Sequence, residues 1–213
     1  MTTVACPPER LVILDGVSWE TYERLLAEHD EKGGTRFSYD EGLLEIRVLS
    51  SRHEIPNRNL ASLVEVLAEE WDIDIVKAGS TTFKLEDLQK GFEPDSCFYI
   101  QRADAIRGKE EIDVSEDPAP DLTIEVDITR ESLNRFPIFA AVGIPEVWRF
   151  DGAKVTFFQL DSGRYRETDR SLAFPAFSCD IATEFLMKSQ KLKSTLWLRE
   201  VRDWARAQKN RDQ

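Results

Sequence analysis

The sequence predicts one α/β domain, and three observations carry that reading. Residues 121–128 alternate strictly, with Leu122, Ile124, Val126 and Ile128 on one face of a strand and Asp121, Thr123, Glu125 and Asp127 on the other. Residues 53–71 align Leu60, Leu63, Val64, Leu67 and Trp71 in one helical stripe. Strand and helix patterns interleave along the chain, with no internal repeat, low-complexity run or linker to divide it. The 213 residues suffice for one well-buried core and are few for two ordinary domains, so residues 1–213 read as a single unit.

Taken in order, Ser18 is an N-cap in front of Trp19, Tyr22, Leu25 and Leu26 at helical spacing, and Gly33-Gly34 is expected to end that helix. Residues 36–40 and 43–48 form a hairpin about Asp40-Glu41-Gly42. The helix over 53–71 follows, with Pro56 expected in its first turn, where a missing N–H costs little. Extended segments come at 74–77, 81–85 and 95–101, with a loop or short helical turn over 86–93. Residues 102–120 are polar and read as surface loop, closed by Pro118 and Pro120. After the acidic strand a helix is expected over about 130–142, where Pro137 forces either a kink or a start near Asn134. Gly143 stops it. Strands at 146–150 and 154–160 flank an Asp151-Gly152 turn, and a helix over about 192–208 closes the chain.

Composition narrows the classes of function. A hydrophobic share of 41% and a charged share of 32% describe a soluble globular chain. No apolar run approaches the ~18 residues that span a bilayer, so no membrane partner is expected. The first eight residues have neither the basic start nor the apolar middle of a secretion signal. Cys6, Cys97 and Cys179 are odd in number and widely spaced, which fits a reducing cytoplasm. A net charge of −12 argues against a general nucleic-acid coat protein but leaves room for a nuclease, where divalent metal offsets charge locally. The densest basic stretch runs from Lys188 through Arg199, Arg202, Arg206 and Lys209 to Arg211, and a solvated helix face is its commoner meaning. Trp197 and Trp204 recur seven apart, the spacing of a packing or subunit-contact stripe, and a homodimer is expected.

The chemistry concentrates in the acidic strand. Asp121, Glu125 and Asp127 on one face, with no Lys or Arg among them, repel unless a cation, a metal or a proton relieves them. Upstream, Pro94-Asp95 opens a second strand with an acid. With only His29 and His53 in the chain, neither a histidine-rich metal site nor a Ser-His-Asp triad can be assembled. His53 opens a helix, a common place for a hydrogen-bonded end residue and a possible one for acid–base work.

The order helix, strand, strand beginning with Asp95, strand carrying Glu125, helix, strand resembles the core of the PD-(D/E)XK nucleases, the restriction-endonuclease-like superfamily. More narrowly, the stretch from about Leu11 to Leu160 resembles the Uma family, abundant in cyanobacteria, long carried as a domain of unknown function and read as endonucleases. The resemblance rests on Phe37-Ser38-Tyr39-Asp40-Glu41-Gly42-Leu43-Leu44-Glu45-Ile46, Ser51-Arg52-His53-Glu54 and Gly79-Ser80-Thr81-Thr82. It continues through Glu93-Pro94-Asp95, Pro120-Asp121-Leu122-Thr123-Ile124-Glu125-Val126 and Gly143-Ile144-Pro145-Glu146-Val147-Trp148. It implies a central mixed sheet flanked by helices over about 36–160, with an N-terminal helix-and-hairpin extension and a C-terminal helix.

The implied activity is Mg²⁺-dependent hydrolysis of DNA phosphodiester bonds, with Mn²⁺ as an alternative ion. Asp95 and Glu125 match the metal-binding acids, and His53 and Glu54 match the polar start of the first core helix. Where the general pattern has Lys two residues after the Glu, this chain has Asp127, which would be an auxiliary acid. Family members supply a Lys from the next helix, and the matching position here is Arg135. Arg stays protonated and cannot act as a base, but it can hold phosphate. Lys84 is the other candidate amine, against the plainer reading of an exposed strand lysine. The rival function is a catalytically degenerate nuclease-fold module acting in binding or assembly.

Overall fold

The computed structural model describes residues 10–29, 34–79, 81–128 and 133–210. Its elements are β1 (Arg10–Leu14), α1 (Trp19–Glu28), β2 (Thr35–Asp40), β3 (Leu43–Val48), α2 (Ser51–Trp71), β4 (Val76–Gly79), β5 (Phe83–Leu85), β6 (Lys90–Phe92) and β7 (Ser96–Tyr99). They continue with α3 (Ala103–Ile106), β8 (Leu122–Val126), α4 (Phe136–Val142), β9 (Glu146–Phe150), β10 (Val155–Asp161), β11 (Arg164–Thr168), α5 (Cys179–Ser189) and α6 (Ser194–Lys209). None of the described helices is long and apolar enough to cross a membrane.

The strands form two sheets. An antiparallel sheet has the order β1-β3-β2-β6-β5, and a mixed sheet has the order β11-β10-β9-β8-β7-β4. In the mixed sheet β8 and β9 run parallel, joined across the sheet by the segment that contains α4, and the other described pairings are antiparallel. The expected mixed sheet is therefore present, and the N-terminal extension is larger than a helix and hairpin. Strands β1, β6 and β11 were not foreseen, nor were α5 and α3, the latter lying within the stretch read as surface loop. Each of the three strands is short and lies beside a hairpin, where pairing partners rather than a strong local pattern decide the conformation.

Several ends follow local chemistry. The Ser18 hydroxyl accepts from Thr21 N at 3.2 Å and starts α1, which stops at Glu28 rather than at the glycines. The β2–β3 hairpin turns through Glu41 at φ +48° and Gly42 at φ +100°, the left-handed pair that a two-residue turn between twisted strands requires. Helix α2 starts at Ser51, where His53 N and Glu54 N both bond Ser50 O, so Pro56 lies in its second turn and not its first. Its ring is buried there, and the amide it lacks would have bonded to the carbonyl of Arg52, an exposed residue. Pro137 sits in the first turn of α4, which begins at Phe136, so the helix expected from 130 starts later; residues 130–132 of that expectation lie outside the described residues.

The molecule is layered. Helices α2, α5 and α6 cover one face of the mixed sheet, burying Leu60, Leu67, Ile124, Trp148, Phe157 and Trp197. The other face, with Cys97, Val147 and Phe158, packs against α4 and against Phe83 and Phe92 of the antiparallel sheet. Helix α1 closes the outer face of that sheet over Phe37, Tyr39 and Leu44. The consequence for β8 is decisive: all five of its residues are buried, so its polar face is inside the protein.

Part of the basic stretch near the C terminus pairs with α2. Arg206 makes a bidentate pair with Glu70, Arg202 reaches Glu69, and Lys209 donates to Glu70 O at 3.0 Å, all tying α6 to α2. Trp197 is buried with Nε1 on Phe185 O at 2.8 Å, and Trp204 packs on Trp71, Phe177 and Phe185. This is a packing stripe.

Gly91 offers a test of the α1 layer. A methyl there would sit 2.8 Å from Tyr22 Cε1 and Cζ and closer still to the Tyr22 hydroxyl. Gly91→Ala is expected to destabilise by about 1–3 kcal/mol, as overpacked cores do. Urea unfolding of Gly91→Ala, alone and combined with Tyr22→Ala, checks this, because the second change should recover most of the loss due to the methyl.

Candidate active site

Strand β7 meets β8 antiparallel, with Cys97 opposite Thr123 and Ser96 opposite Ile124. One step further, Asp95 falls opposite Glu125, and directly opposed residues share a face. Both carboxylates are buried, at 4% and 2% exposure. Removing such groups from water costs several kcal/mol each unless cations and hydrogen bonds compensate, and the surroundings supply both.

Asp95 is held from three directions. Its Oδ2 accepts from Val126 N at 2.8 Å and lies 3.1 Å from His53 Nε2. Four residues along α2 from His53, on the same helix face, Asn57 donates to the Asp95 main-chain oxygen at 3.0 Å. Asn57 is itself fixed by the Ser96 hydroxyl at 2.9 Å. Burial works against charge on Asp95, but the His53 hydrogen bond and the charges of Arg47, His53 and Arg135 outweigh it and hold the carboxyl well below the usual range.

Glu125 is balanced differently. Arg135, in the turn that opens α4, places a guanidinium nitrogen 2.5 Å from Glu125 Oε2. Burial pushes the Glu125 carboxyl up to about 7, with the Asp95 charge adding to the rise and Arg135, Arg47 and His53 opposing it. The sequence suggested crowding among Asp121, Glu125 and Asp127. The structure puts Asp121 roughly 13 Å along the strand from Glu125, paired with Arg102 at 3.0 Å and accepting from Ile100 N at 2.7 Å. The like charge that matters at Glu125 is Asp95, on the neighbouring strand. Asp127 is half-buried beyond the end of β8 and contributes negative potential at Arg135.

Lys84 lies elsewhere. It sits on β5 opposite Gly91, exposed, with Nζ 3.1 Å from Glu23 Oε1 on α1, in a groove shared with Lys109 and Glu111. Among the described residues the basic groups around Asp95 and Glu125 are Arg135, Arg47 and His53. The structure thus brings together Asp95, Glu125, Arg135 and His53, with Asp127 at the rim, and leaves Lys84 outside.

Three contributors were not picked out from the sequence. Asn57 had a signal in its spacing from His53. Glu45 and Arg47 alternate with buried Leu44 and partly buried Ile46 on β3, a pattern that on a hairpin strand usually marks a solvated face. Here both are buried: Arg47 reaches Val126 O at 3.4 Å and His53 Nε2 at 3.5 Å, and its Nε lies 3.7 Å from Glu45 Oε1. A strand's own residues do not reveal that a second sheet covers them.

Asp95 and Glu125 present oxygen donors of the kind hard divalent cations take. Among the described residues Asp95 Oδ1 and Glu125 Oε1 are buried without a hydrogen-bond partner, and such oxygens are of the kind a hard cation could satisfy. Among the described residues no group of three or more His, Cys, Asp and Glu side chains is arranged to hold a metal ion. A two-carboxylate set suits Mg²⁺, which keeps several waters and takes its remaining contacts from substrate phosphate.

A mixed sheet with a βαβ crossover, flanked by helices and bearing acids at the facing ends of two central strands, defines the restriction-endonuclease-like fold. A crystal structure from Anabaena variabilis, described as "a putative nuclease belonging to DUF820", matches with a TM-score of 0.55 and 14% identity, over 80% of this chain and 99% of that one. At that identity the likeness is one of fold. The family model "Uma2: Putative restriction endonuclease" matches residues 19–181, and the chain belongs to that family. No curated protein sequence matches it.

The position of Glu125 makes the metal-free protein pH-sensitive in a defined direction. Its ordinary value is 4.5 and its folded value about 7. Between those limits the folded chain binds more protons than the unfolded one, so stability falls as pH rises from about 4.5 to about 7. Glu125→Gln is expected to flatten that decline in urea unfolding measured across the window, and an unchanged slope would assign the proton elsewhere.

Proposed function

We propose that the protein is a divalent-metal-dependent endonuclease acting on DNA phosphodiester bonds. The observation that carries this reading is the opposition of Asp95 and Glu125 across β7 and β8, where among the described residues one Asp95 oxygen and both Glu125 oxygens lack a hydrogen-bond partner, Glu125 Oε2 lying in ion contact with Arg135. These two carboxylates are the residues that would hold Mg²⁺ or Mn²⁺. When bound, the ion would supply charge neutralisation at the scissile phosphate and activation of water.

The chain's own residues divide the remaining work. His53 and Val126 N fix one Asp95 oxygen, so that the other is aimed inward. Asn57 holds the backbone beneath it. Arg135 carries a permanent positive charge 2.5 Å from Glu125, within reach of a phosphate bound at the same acids. It cannot take a proton from water, so its part is to grip phosphate and offset charge that develops during transfer. The family match and the nuclease-like fold support this assignment.

One observation favours the rival, a degenerate module. Among the described residues no lysine joins the cluster, and Arg135 already neutralises Glu125. Cleavage of plasmid and linear DNA with Mg²⁺ or Mn²⁺ separates the two. Asp95→Ala is expected to abolish cutting and to remove Mn²⁺ binding seen by calorimetry. Arg135→Ala should weaken DNA binding and lower its salt slope by about one counterion. Equal residual cutting by wild type and Asp95→Ala would mark the activity as contamination and leave the module reading in possession.

A further inference from the structure

We propose that Glu45 is a positioning residue for Arg135, through which the N-terminal antiparallel sheet completes the catalytic centre of the mixed sheet. The inference rests on the nuclease reading above and names a residue that the two-acid pattern does not contain.

Strand β3 has two faces. Leu44 and Ile46 pair with Tyr39 and Phe37 on the face that α1 covers. Glu45 and Arg47 point the other way, toward the mixed sheet, and both are buried, at 1% and 0% exposure. An apolar pair would fill that space without the cost of burying charge.

The partners of Glu45 show what the charge does. Its Oε2 accepts from Leu133 N at 2.5 Å. Residues 133–135 belong to no strand or helix, so their amides have no ladder to join, and a carboxylate is a strong acceptor for one of them. Two residues on is Arg135, whose own carbonyl takes Phe139 N at 2.9 Å in the first turn of α4. The backbone at Arg135 is thereby held from both sides, by β3 before it and by α4 after it. The other Glu45 oxygen lies 3.7 Å from Arg47 Nε, and Arg47 in turn reaches Val126 O, next to Glu125. Burial opposes the charge on Arg135, and Glu125, Asp95, Glu45 and Asp127 together outweigh it. Glu45 therefore acts on Arg135 chiefly through backbone geometry, its field ranking behind those of Glu125 and Asp95.

The test is a double-mutant cycle between positions 45 and 135, read in steady-state cleavage of a DNA duplex with Mn²⁺ and in urea unfolding. Glu45→Ala is expected to lower kcat by about 10- to 100-fold, the scale of a misplaced contact, and to change KM for DNA by less than about threefold. Glu45→Gln keeps an oxygen for Leu133 N and should retain most of the activity, which a variant that had merely lost its fold would not do. In the Arg135→Ala background, Glu45→Ala should cost no further rate. Equal rate losses in both backgrounds, or a Glu45→Gln variant as slow as Glu45→Ala, would overturn the proposal. Unfolding reads the same coupling without catalysis: about fivefold or more in the equilibrium constant is expected, and additivity would overturn it. A wild type that cuts nothing but keeps this coupling would defeat the nuclease reading and leave the positioning role standing.

Discussion

The structure turns on the burial of two facing carboxylates. Asp95 and Glu125 sit opposite one another with almost no exposure, and two like charges so placed cannot both be supported without help. The help is distributed across four elements: His53 and Asn57 from α2, Val126 N from β8, Arg135 from the turn before α4, and Arg47 from β3. Taking one cation from such a cluster strands a buried charge at about 3–5 kcal/mol. The elements that deliver these groups are therefore tied to each other by electrostatics as well as by apolar packing.

The layers follow from that requirement. Helix α2 must cross the end of the mixed sheet so that its first two turns reach Asp95, and the Leu60 to Ala68 stripe then lies over β8. The antiparallel sheet must press one face on the mixed sheet to bring Arg47 and Glu45 inward, which leaves its other face for α1. Glu146 does a parallel service at the far side of the core. Its buried carboxylate takes Trp148 Nε1, the Ser171 hydroxyl and the amides of Leu172 and Ala173, pinning the segment that leads to α5. Burial pushes that carboxyl up, and four hydrogen bonds draw it back. A fully satisfied acid of this kind is structural. The acids at the site differ in keeping oxygens unsatisfied.

The acidic strand shows how a correct pattern can carry an incorrect environment. Its alternation was right, since Leu122, Ile124 and Val126 do enter the helix-covered core. Its polar face was expected to crowd three acids. Instead Asp121 is spent on Arg102 and two backbone amides, Asp127 lies beyond the strand end, and Glu125 alone points into a closed space. Period tells which residues share a face. It is silent on whether that face meets water or a second sheet.

By itself the sequence determined the local pieces: the Ser18 cap, the Glu41-Gly42 turn, the α2 stripe, the β8 alternation and the glycine stop after α4. Each is set by neighbours a few residues away, through capping, allowed φ or side-chain period. The family pattern further marked Asp95, Glu125, His53 and Arg135, and the structure brings these four together. Tertiary structure alone decided that Lys84 stands apart, that Asn57 supports the Asp95 backbone, and that Glu45 and Arg47 face inward. Those facts depend on contacts between residues 38 to 88 apart in the chain, where loop closure and layer stacking, and not local preference, choose the partner.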